Sequence, residues 1–408
     1  MIFYKKLGVI VKNLKKSTFQ PKRIGIYIWE LSYRYGGTES CAIKFCWALQ
    51  QIYPNANVCF VSEVYDKNDL LSNEKFVSRL NDLSGLNLNF IKTSFMPIFC
   101  SKKTRLSRKL MYSKIQNSSK NFDLFFYCSR GNFYFKARKN IAIIHFPVLP
   151  IVQEKRKEGK FDISLFTRLK DKKYAKKYDL FLPNSKYTEK WLKKIRPDIS
   201  KEKIVQLYHP VQPIVWIGEK KQNAILACSR FDKSKKLEVL IEAYKTSEYL
   251  NKNYELWLCG KRDVIDYDYP ERLMKISEGF NVKFFINVTH EKLSDLYNQA
   301  TFFWHSKGFG IDEDSQPDML EHFGMSTVEA MSAGCIPIVI NKGGQPEIVT
   351  ENTGCCWNSI EELVAKTEEI AKDNEKLEIF SKNARNRASD FNMDKFLHEL
   401  KLILLSRL

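Results

Sequence analysis

Strand-sized apolar runs alternate with longer helical patterns along this chain of 408 residues, and the alternation starts afresh halfway along. Such alternation is typical of βαβ units, in which helices join parallel strands. The restart follows residues 208–213, where two prolines within four residues disfavour regular structure. The pattern therefore predicts an α/β protein of two Rossmann-like parallel-sheet domains, each long enough to bury its own core.

The predicted elements follow this alternation. Strands are predicted at 23–29, 57–62, 88–92, 123–128, 141–145 and 179–183, and then at 224–228, 255–259, 282–285, 301–304 and 336–340. Helices are predicted at 38–51, 102–118 and 186–195, and then at 236–244, 291–299, 327–332, 360–372, 374–389 and 393–405. Ser185 is expected to be the N-cap of the third helix.

The charge of the chain favours anionic partners, because 66 basic and 47 acidic residues leave a net charge of +19. Residues 1–23 and 101–120 each carry seven Lys or Arg and no acid, and Leu106 and Leu110 share a face in the second run. This predicts peripheral contact with an anionic membrane surface; the alternative is a solvated face. Nucleic acid is not expected, since no helix-turn-helix, RNP or zinc-finger signature occurs.

The predicted location is the cytoplasm, with the inner face of the membrane as a place of contact. No apolar run approaches the roughly 20 residues of a spanning helix, and the apolar stretch at 7–11 is too short for a secretion signal. The ten cysteines form no CxxC or Cys/His ligand spacing. They are therefore expected to be free thiols, and a structural zinc site is not expected.

Two glutamates in the stretch EHFGMSTVEAMSAGCIPIVINKGGQPEIV, Glu321 and Glu329, flank a turn-like Phe323-Gly324 and a helix predicted to open near Ser326. A helix start favours a phosphate, and carboxylates accept hydrogen bonds from hydroxyls. A ligand with both groups is a nucleotide sugar. The alternative is a capping box of Ser326 and Glu329, which would explain Glu329 but not Glu321.

Further candidate residues follow predicted strands, where ligands of open α/β sheets gather. Gly36 and Gly37 precede a helix and permit close approach of a phosphate, although such a pair is often only a turn. His145 ends an apolar run, and the alternative is a structural histidine. Arg230 and Lys235 follow the first strand of the second half and would neutralise a diphosphate, unless they are solvated surface charges.

Two acidic pairs, at 266–268 and 312–314, fit the Asp-x-Asp pattern that binds Mn²⁺ in some transferases. The pattern arises easily by chance among 47 acidic residues. The second pair lies in a long acidic loop that either shapes a pocket or is simply solvated. No metal is expected to be required.

The segments HSKGFG, EHFGMSTVEAM, GCIPIVI and GGQPEIV together resemble the donor-binding motif of the family-four retaining glycosyltransferases (glycosyl transferases group 1), which have the GT-B fold. The resemblance is specific from about residue 224 to 349 and looser before. It implies an acceptor-binding domain at 1–210, a nucleotide-sugar-binding domain at 211–390, and a final helix at 391–408 that crosses back to the first domain.

The resemblance also implies roles for the candidate residues. Glu329 would hold the ribose, and Arg230 and Lys235 the diphosphate. Glu321 and the backbone N–H groups of Phe323, Gly324 and Met325 would hold the sugar hydroxyls. The helix start at Ser326 and the loop of Gly36 and Gly37 would face the donor phosphate. His145 and Gly37 would border the reacting carbon.

The implied activity is retaining transfer of a hexose from a UDP- or GDP-sugar to a glycan or lipid-linked acceptor, in the synthesis of cell-surface polysaccharide or glycoconjugate. Three alternatives stay open. They are a phosphorylase or epimerase of the same fold, a metal-dependent transferase, and a non-catalytic basic binding protein.

Overall fold

The computed structural model describes residues 19–29, 31, 36–66, 70–89, 91–100, 104–129, 133–147, 174–218 and 220–408. The chain divides into two compact units. The first comprises the residues up to Tyr208 together with Phe396–Leu408, and the second comprises His209–Lys395. Residues 1–18 of the basic run at 1–23 lie outside the described residues. No helix in the described ranges is both long and apolar enough to cross a bilayer.

The first unit contains a six-stranded parallel sheet in the order β3-β2-β1-β4-β5-β6. Its strands are β1 (Arg23–Ile28), β2 (Asn57–Val64), β3 (Thr93–Phe99), β4 (Leu124–Tyr127), β5 (Lys139–Ile144) and β6 (Leu180–Pro183). The helices between them are α1 (Gly37–Ile52), α2 (Asn73–Ser84), α3 (Arg105–Ser118) and α4 (Lys186–Ile195). All four residues of β4 are buried, as expected of a central parallel strand covered on both faces. Ser185 caps α4 as predicted, because its Oγ accepts from the Thr188 N–H at 3.0 Å.

The second unit repeats the arrangement, with a parallel sheet in the order β12-β11-β10-β7-β8-β9. Its strands are β7 (Gln222–Cys228), β8 (Glu255–Gly260), β9 (Val282–Ile286), β10 (Ala300–His305), β11 (Ile336–Ile340) and β12 (Cys355–Trp357). Its helices are α5 (Leu237–Thr246), α6 (Glu248–Asn253), α7 (Tyr269–Ile276), α8 (His290–Gln299), α9 (Met325–Ser332), α10 (Gln345–Ile348), α11 (Ile360–Ala371) and α12 (Asn374–Ala388). Every residue of β10 and β11 is buried, so these strands form the centre of the unit.

The last helix, α13 (Met393–Arg407), completes the core of the first unit. Its buried side chains are Phe396, Leu400, Ile403 and Leu404. Phe396 packs edge-on against Phe45 of α1, with ring centroids 4.8 Å apart. The buried face of the helix predicted at 393–405 therefore packs against the first unit.

The strand predicted at 88–92 is wrong. That segment is a loop in which Asn89 Oδ1 accepts from the N–H groups of Ile91 and Lys92, a local bonding pattern that competes with a strand. The strand, β3, begins at Thr93 and includes Pro97. Proline is tolerated there because β3 is the edge strand of the sheet. The helices α2, α6, α7 and α10 and the strand β12 were not predicted from the sequence pattern.

Candidate active site

A short turn after β7 places Lys235 in the second unit. This 3₁₀ turn, Lys233–Lys235, begins at Asp232, whose Oδ1 accepts from the Ser234 N–H at 3.0 Å. Ser306, directly after β10, donates its hydroxyl to the carbonyl oxygens of Lys235 and Lys236 at 3.0 Å each. These hydrogen bonds join the turn that follows β7 to the end of β10, and they position Lys235 beside β10.

Glu321 is the centre of a cluster of charges at this edge of the sheet. Lys235 Nζ lies 3.0 Å and Lys307 Nζ 3.7 Å from Glu321 Oε2, and both lysine side chains are less than one fifth exposed. Burial opposes ionisation of the Glu321 carboxyl, but the charges of Lys235 and Lys307 and the neighbouring His305 imidazole outweigh it. The pKa of Glu321 therefore lies well below its usual value.

His305, the last residue of β10, borders the same carboxylate. Its Nε2 lies 3.8 Å from Glu321 Oε2, and its buried Nδ1 has no hydrogen-bond partner. Burial lowers the pKa of His305 below its usual value, although Glu321 acts in the opposite direction. The imidazole is therefore neutral at pH 7, and the charged groups around it are one carboxylate and two ammonium groups.

Two glycines support the backbone that carries Glu321. The Gly344 N–H donates to the Glu321 carbonyl oxygen at 2.8 Å. Gly343 has a φ of 64°, and a Cβ there would lie 2.2 Å from the same oxygen. A Cβ at Gly344 would lie 2.4 Å from the His322 carbonyl oxygen. Only glycine fits this approach, which explains the pair in the sequence.

The helix after Glu321 begins two residues earlier than the capping-box alternative requires. α9 starts at Met325 with Gly324 as its N-cap, at a φ of 116°, and no side chain caps it. Ser326 is therefore inside the first turn, and the capping box of Ser326 and Glu329 is wrong. The Thr327 N–H donates to the Gly324 carbonyl oxygen at 3.1 Å, but the N–H groups of Met325 and Ser326 have no acceptor within the helix. A helix start without a side-chain cap therefore follows shortly after Glu321.

Glu329 lies in the second turn of α9, where it accepts a hydrogen bond from the Tyr297 hydroxyl at 3.1 Å. Tyr297 belongs to α8 and is fully buried. Glu329 is half-buried, and the hydrogen bond from the Tyr297 hydroxyl holds its carboxylate in place. It is thus oriented by a neighbouring helix rather than by the start of its own.

Arg230 has a different environment from Lys235. Its side chain is 63% exposed, and its guanidinium contacts Asp263 Oδ2 at 2.6 Å and Asp232 Oδ2 at 3.1 Å. Asp232 also caps the turn that carries Lys235. The two predicted cations are therefore linked through one carboxylate, but Arg230 lies at the surface and is already paired.

The acidic pairs proposed as a metal site have local partners. Asp266 accepts from the Lys233 backbone N–H at 3.1 Å, and Asp268 pairs with Arg272 at 3.5 Å. Asp312 accepts from the Ser315 N–H at 3.1 Å. Each pair thus takes part in the structure of its own loop or helix.

In the first unit, the structure brings the remaining predicted residues together. Gly36 is the N-cap of α1 and Gly37 its first residue. The Cys128 thiol, after β4, lies 3.7 Å from the Thr38 carbonyl oxygen of that helix and 3.6 Å from His145 Nε2. His145 follows β5, so it lies at the carboxyl edge of the sheet, close to the start of α1.

Sequence reasoning missed His305, Ser306 and Lys307, although the segment that contains them was part of the resemblance. The signal was available, because these residues follow an apolar run just as His145 does. Thr327 and Gln345 were also missed. The Thr327 hydroxyl donates to Gln345 Oε1 at 2.9 Å, which joins the start of α9 to α10.

Comparisons with known proteins agree with this architecture. Residues 215–387, most of the second unit, match the family model of the glycosyl transferases group 1. A curated relative, the GDP-Man:Man(3)GlcNAc(2)-PP-Dol alpha-1,2-mannosyltransferase of Dictyostelium discoideum, is 29% identical over 198 residues. That match covers 45% of this chain and 37% of the relative, so the chain spans well under half the length of the curated protein.

Two solved structures have the same fold over nearly their whole length. The HepE protein of Anabaena in complex with UDP and glucose has a TM-score of 0.68 at 15% identity, covering 94% of this chain and 99% of that one. The sucrose-phosphate synthase of Thermosynechococcus elongatus has a TM-score of 0.66 at 16% identity, covering 94% and 98%. The second unit thus resembles the glycosyl transferases group 1, and the two six-stranded parallel sheets have the arrangement of the GT-B fold.

Proposed function

We propose that this protein transfers a hexose from a UDP- or GDP-linked donor to a glycan or lipid-linked saccharide, with retention of the anomeric configuration. The proposal is carried by one observation: Lys235 and Lys307 converge on Glu321 immediately before the uncapped start of α9. A helix start and two largely buried ammonium groups form a binding site for an anion, and the carboxylate provides acceptors for hydroxyls.

The leaving group explains why the cations matter. Cleavage of the bond from sugar to phosphate develops negative charge on the nucleoside diphosphate. Fixed positive charge in a partly buried site stabilises that change more than water does. Lys235 and Lys307 place two ammonium groups beside one carboxylate, and a diphosphate would pair with both of them. Arg230 would join it by exchanging Asp263 for a phosphate oxygen.

Recognition of the rest of the donor is assigned to residues of α9. Glu329 would accept hydrogen bonds from the ribose hydroxyls, with its orientation fixed by the Tyr297 hydroxyl. Glu321 and the N–H groups of Phe323, Gly324 and Met325 would hold the sugar. In the first unit, His145 and Gly37 would border the reacting carbon. Retention would follow from attack on the face that the phosphate leaves, with the departing phosphate accepting the acceptor proton.

The names of similar proteins support this class of substrate. The curated relative is a GDP-mannose-dependent transferase that acts on a dolichol-linked glycan, and the HepE structure contains UDP and glucose. We therefore propose a nucleotide-linked hexose as donor and a lipid-linked or growing glycan as acceptor, in the synthesis of a cell-surface polysaccharide or glycoconjugate.

Contact with an anionic membrane is proposed through α3. Leu106 and Leu110 are 67% and 58% exposed on this helix, and Lys109 and Lys114 are exposed beside them. Leu106→Asp with Leu110→Asp should reduce sedimentation with phosphatidylserine vesicles. Ile91→Asp, at a residue 92% exposed in a loop, should not. Equal binding by both variants would remove α3 from the proposal.

A donor screen followed by product analysis tests the transferase. UDP, GDP and their hexose derivatives are added in a thermal-shift assay, because a ligand that binds the folded state raises the melting temperature. The stabilising donor is then incubated with glycan acceptors, and NMR of the product reports the anomeric configuration. Binding without any transfer or hydrolysis would favour a non-catalytic protein. Inhibition by EDTA would favour the metal-dependent alternative, and reaction with inorganic phosphate would favour a phosphorylase.

A further inference from the structure

Two cysteines and a histidine meet at the carboxyl edge of the first unit's sheet. Cys41 is in α1, Cys128 follows β4, and His145 follows β5. One ligand atom from each of these three side chains lies within 4.8 Å of the other two. Among the described residues, this is the only group of three or more potential metal ligands at such short distances.

The spacing suits a tetrahedral metal ion. Zn–S bonds of about 2.3 Å and Zn–N bonds of about 2.0–2.1 Å place neighbouring ligand atoms about 3.5–3.8 Å apart. Cys128 Sγ lies 3.6 Å from His145 Nε2, which is within that range. The remaining ligand distances need to close by no more than about 1 Å, which rotation of the side chains supplies.

The surroundings also suit such an ion. Cys41 and Cys128 are 1% and 0% exposed, on a helix and at the end of a central strand. These rigid elements fix two soft sulfur ligands, which select zinc over hard cations. His145 is only half-buried and so gives the cluster a route to solvent. Three protein ligands leave a fourth position for water, the arrangement of an exchangeable rather than a structural zinc site.

We propose that Cys41, Cys128 and His145 bind a single Zn²⁺ ion reversibly. Binding forms two Zn–S bonds and one Zn–N bond, and the two thiol protons pass to the solvent. The ion occupies His145 Nε2, so that nitrogen is no longer available to any substrate. On the proposed function, which places His145 beside the reacting carbon, bound zinc therefore inhibits transfer.

Metal binding is tested first without any assay of activity. The protein is kept reduced with a phosphine and titrated with Co²⁺, which replaces Zn²⁺ and is coloured. Wild type should give a thiolate-to-cobalt charge-transfer band and the visible bands of a tetrahedral ion at one equivalent. Competing Zn²⁺ should remove these bands. Cys41→Ser and Cys128→Ser should each weaken binding at least about tenfold.

Cys228→Ser is the matched control. Cys228 lies opposite Cys259 on the neighbouring strand, but these two free thiols are not part of a group of three potential metal ligands. It should bind as wild type does, and circular dichroism should confirm that every variant is folded. A wild type without a thiolate band, or a band that survives both Cys41→Ser and Cys128→Ser, would overturn the proposal. A disulfide between Cys41 and Cys128 that persists under reduction, detected by mass spectrometry, would also overturn it.

Inhibition forms a second, separable test. Micromolar Zn²⁺ should slow transfer by wild type, EDTA should restore it, and Cys128→Ser should resist. A protein that binds cobalt in this way but transfers no sugar retains the metal site and loses the proposed function. Zinc inhibition that Cys41→Ser and Cys128→Ser leave unchanged would place the inhibitory ion elsewhere.

Discussion

Lys235 Nζ lies 3.0 Å from Glu321 Oε2, although 86 residues separate the two along the chain. Lys307 approaches the same oxygen from the end of β10. The two ammonium groups hold the carboxylate ionised. Several properties of the site follow from this cluster of charges.

Lys235→Ala should lower turnover about 10²–10³-fold, because it removes a fixed charge from the site where the diphosphate departs. The check is the initial rate at saturating donor. Lys233→Ala is the control, since Lys233 is in the same turn but is 60% exposed and pairs with Asp266. Equal rates for the two variants would exclude Lys235 from the site.

Glu329→Ala should weaken binding of the nucleoside diphosphate about 10–100-fold, because hydrogen bonds to a charged group contribute about 1.5–3 kcal/mol. Calorimetry with UDP and GDP measures this change and identifies the preferred base. Tyr297→Phe removes only the hydroxyl that orients Glu329 and should have a smaller effect. Unaltered affinity in Glu329→Ala would assign the carboxylate to the packing of α8 and α9 alone.

At acid pH, Glu321 should no longer contribute to the free energy of unfolding. The pKa of its carboxyl is lowered in the folded protein, so the stabilisation is complete above the ordinary value near 4.5 and is lost as the pH falls through the folded pKa. Glu321→Gln should therefore melt below wild type at pH 7, and the difference should narrow as the pH falls below 4.5. A constant difference from pH 7 into the acid range would mean that the two lysines do not stabilise the ionised form.

Gly343→Ala should disrupt the backbone of Glu321, because the new methyl group would lie 2.2 Å from its carbonyl oxygen. Gly279→Ala is the matched control, since Gly279 also has a positive φ, of 83°, but has nothing within 4 Å of the added carbon. The control should cost about 1 kcal/mol from the backbone conformation alone. Urea unfolding should report a larger loss for Gly343→Ala, and calorimetry a loss of donor affinity. Equal effects would show that the loop adapts.

The strands of both sheets were largely predictable, because central parallel strands are covered on both faces and form continuous apolar runs. The run predicted at 255–259 is β8, Glu255–Gly260. β3 escaped prediction because an edge strand tolerates Pro97, which disfavours a strand anywhere else in a sheet. Apolar pattern thus identifies the centre of a sheet better than its margins.

Two members of the charge cluster were candidates from the sequence, but their contacts were not predictable. Position after a predicted strand and the family resemblance made Lys235 a candidate, and the motif around the predicted helix start did so for Glu321. Their ion pair depends on how β7 and β10 align, which no local pattern encodes. The capping box failed because its spacing fits any helix start near Ser326. Gly324, with its positive φ, is the N-cap instead, so α9 begins two residues earlier. The first residue of the helix is thus set by the turn at Gly324, which packs against Gln345.

The place of α13 has a consequence for synthesis of the chain on the ribosome. Phe396, Leu400, Ile403 and Leu404 fill the core of a unit whose other members end about 190 residues earlier, at Tyr208. At roughly 5–20 residues per second, the ribosome needs about 10–40 s to supply them. Throughout that interval the emerging first half has an uncovered apolar groove, and a chain that is cut short before residue 396 never closes it.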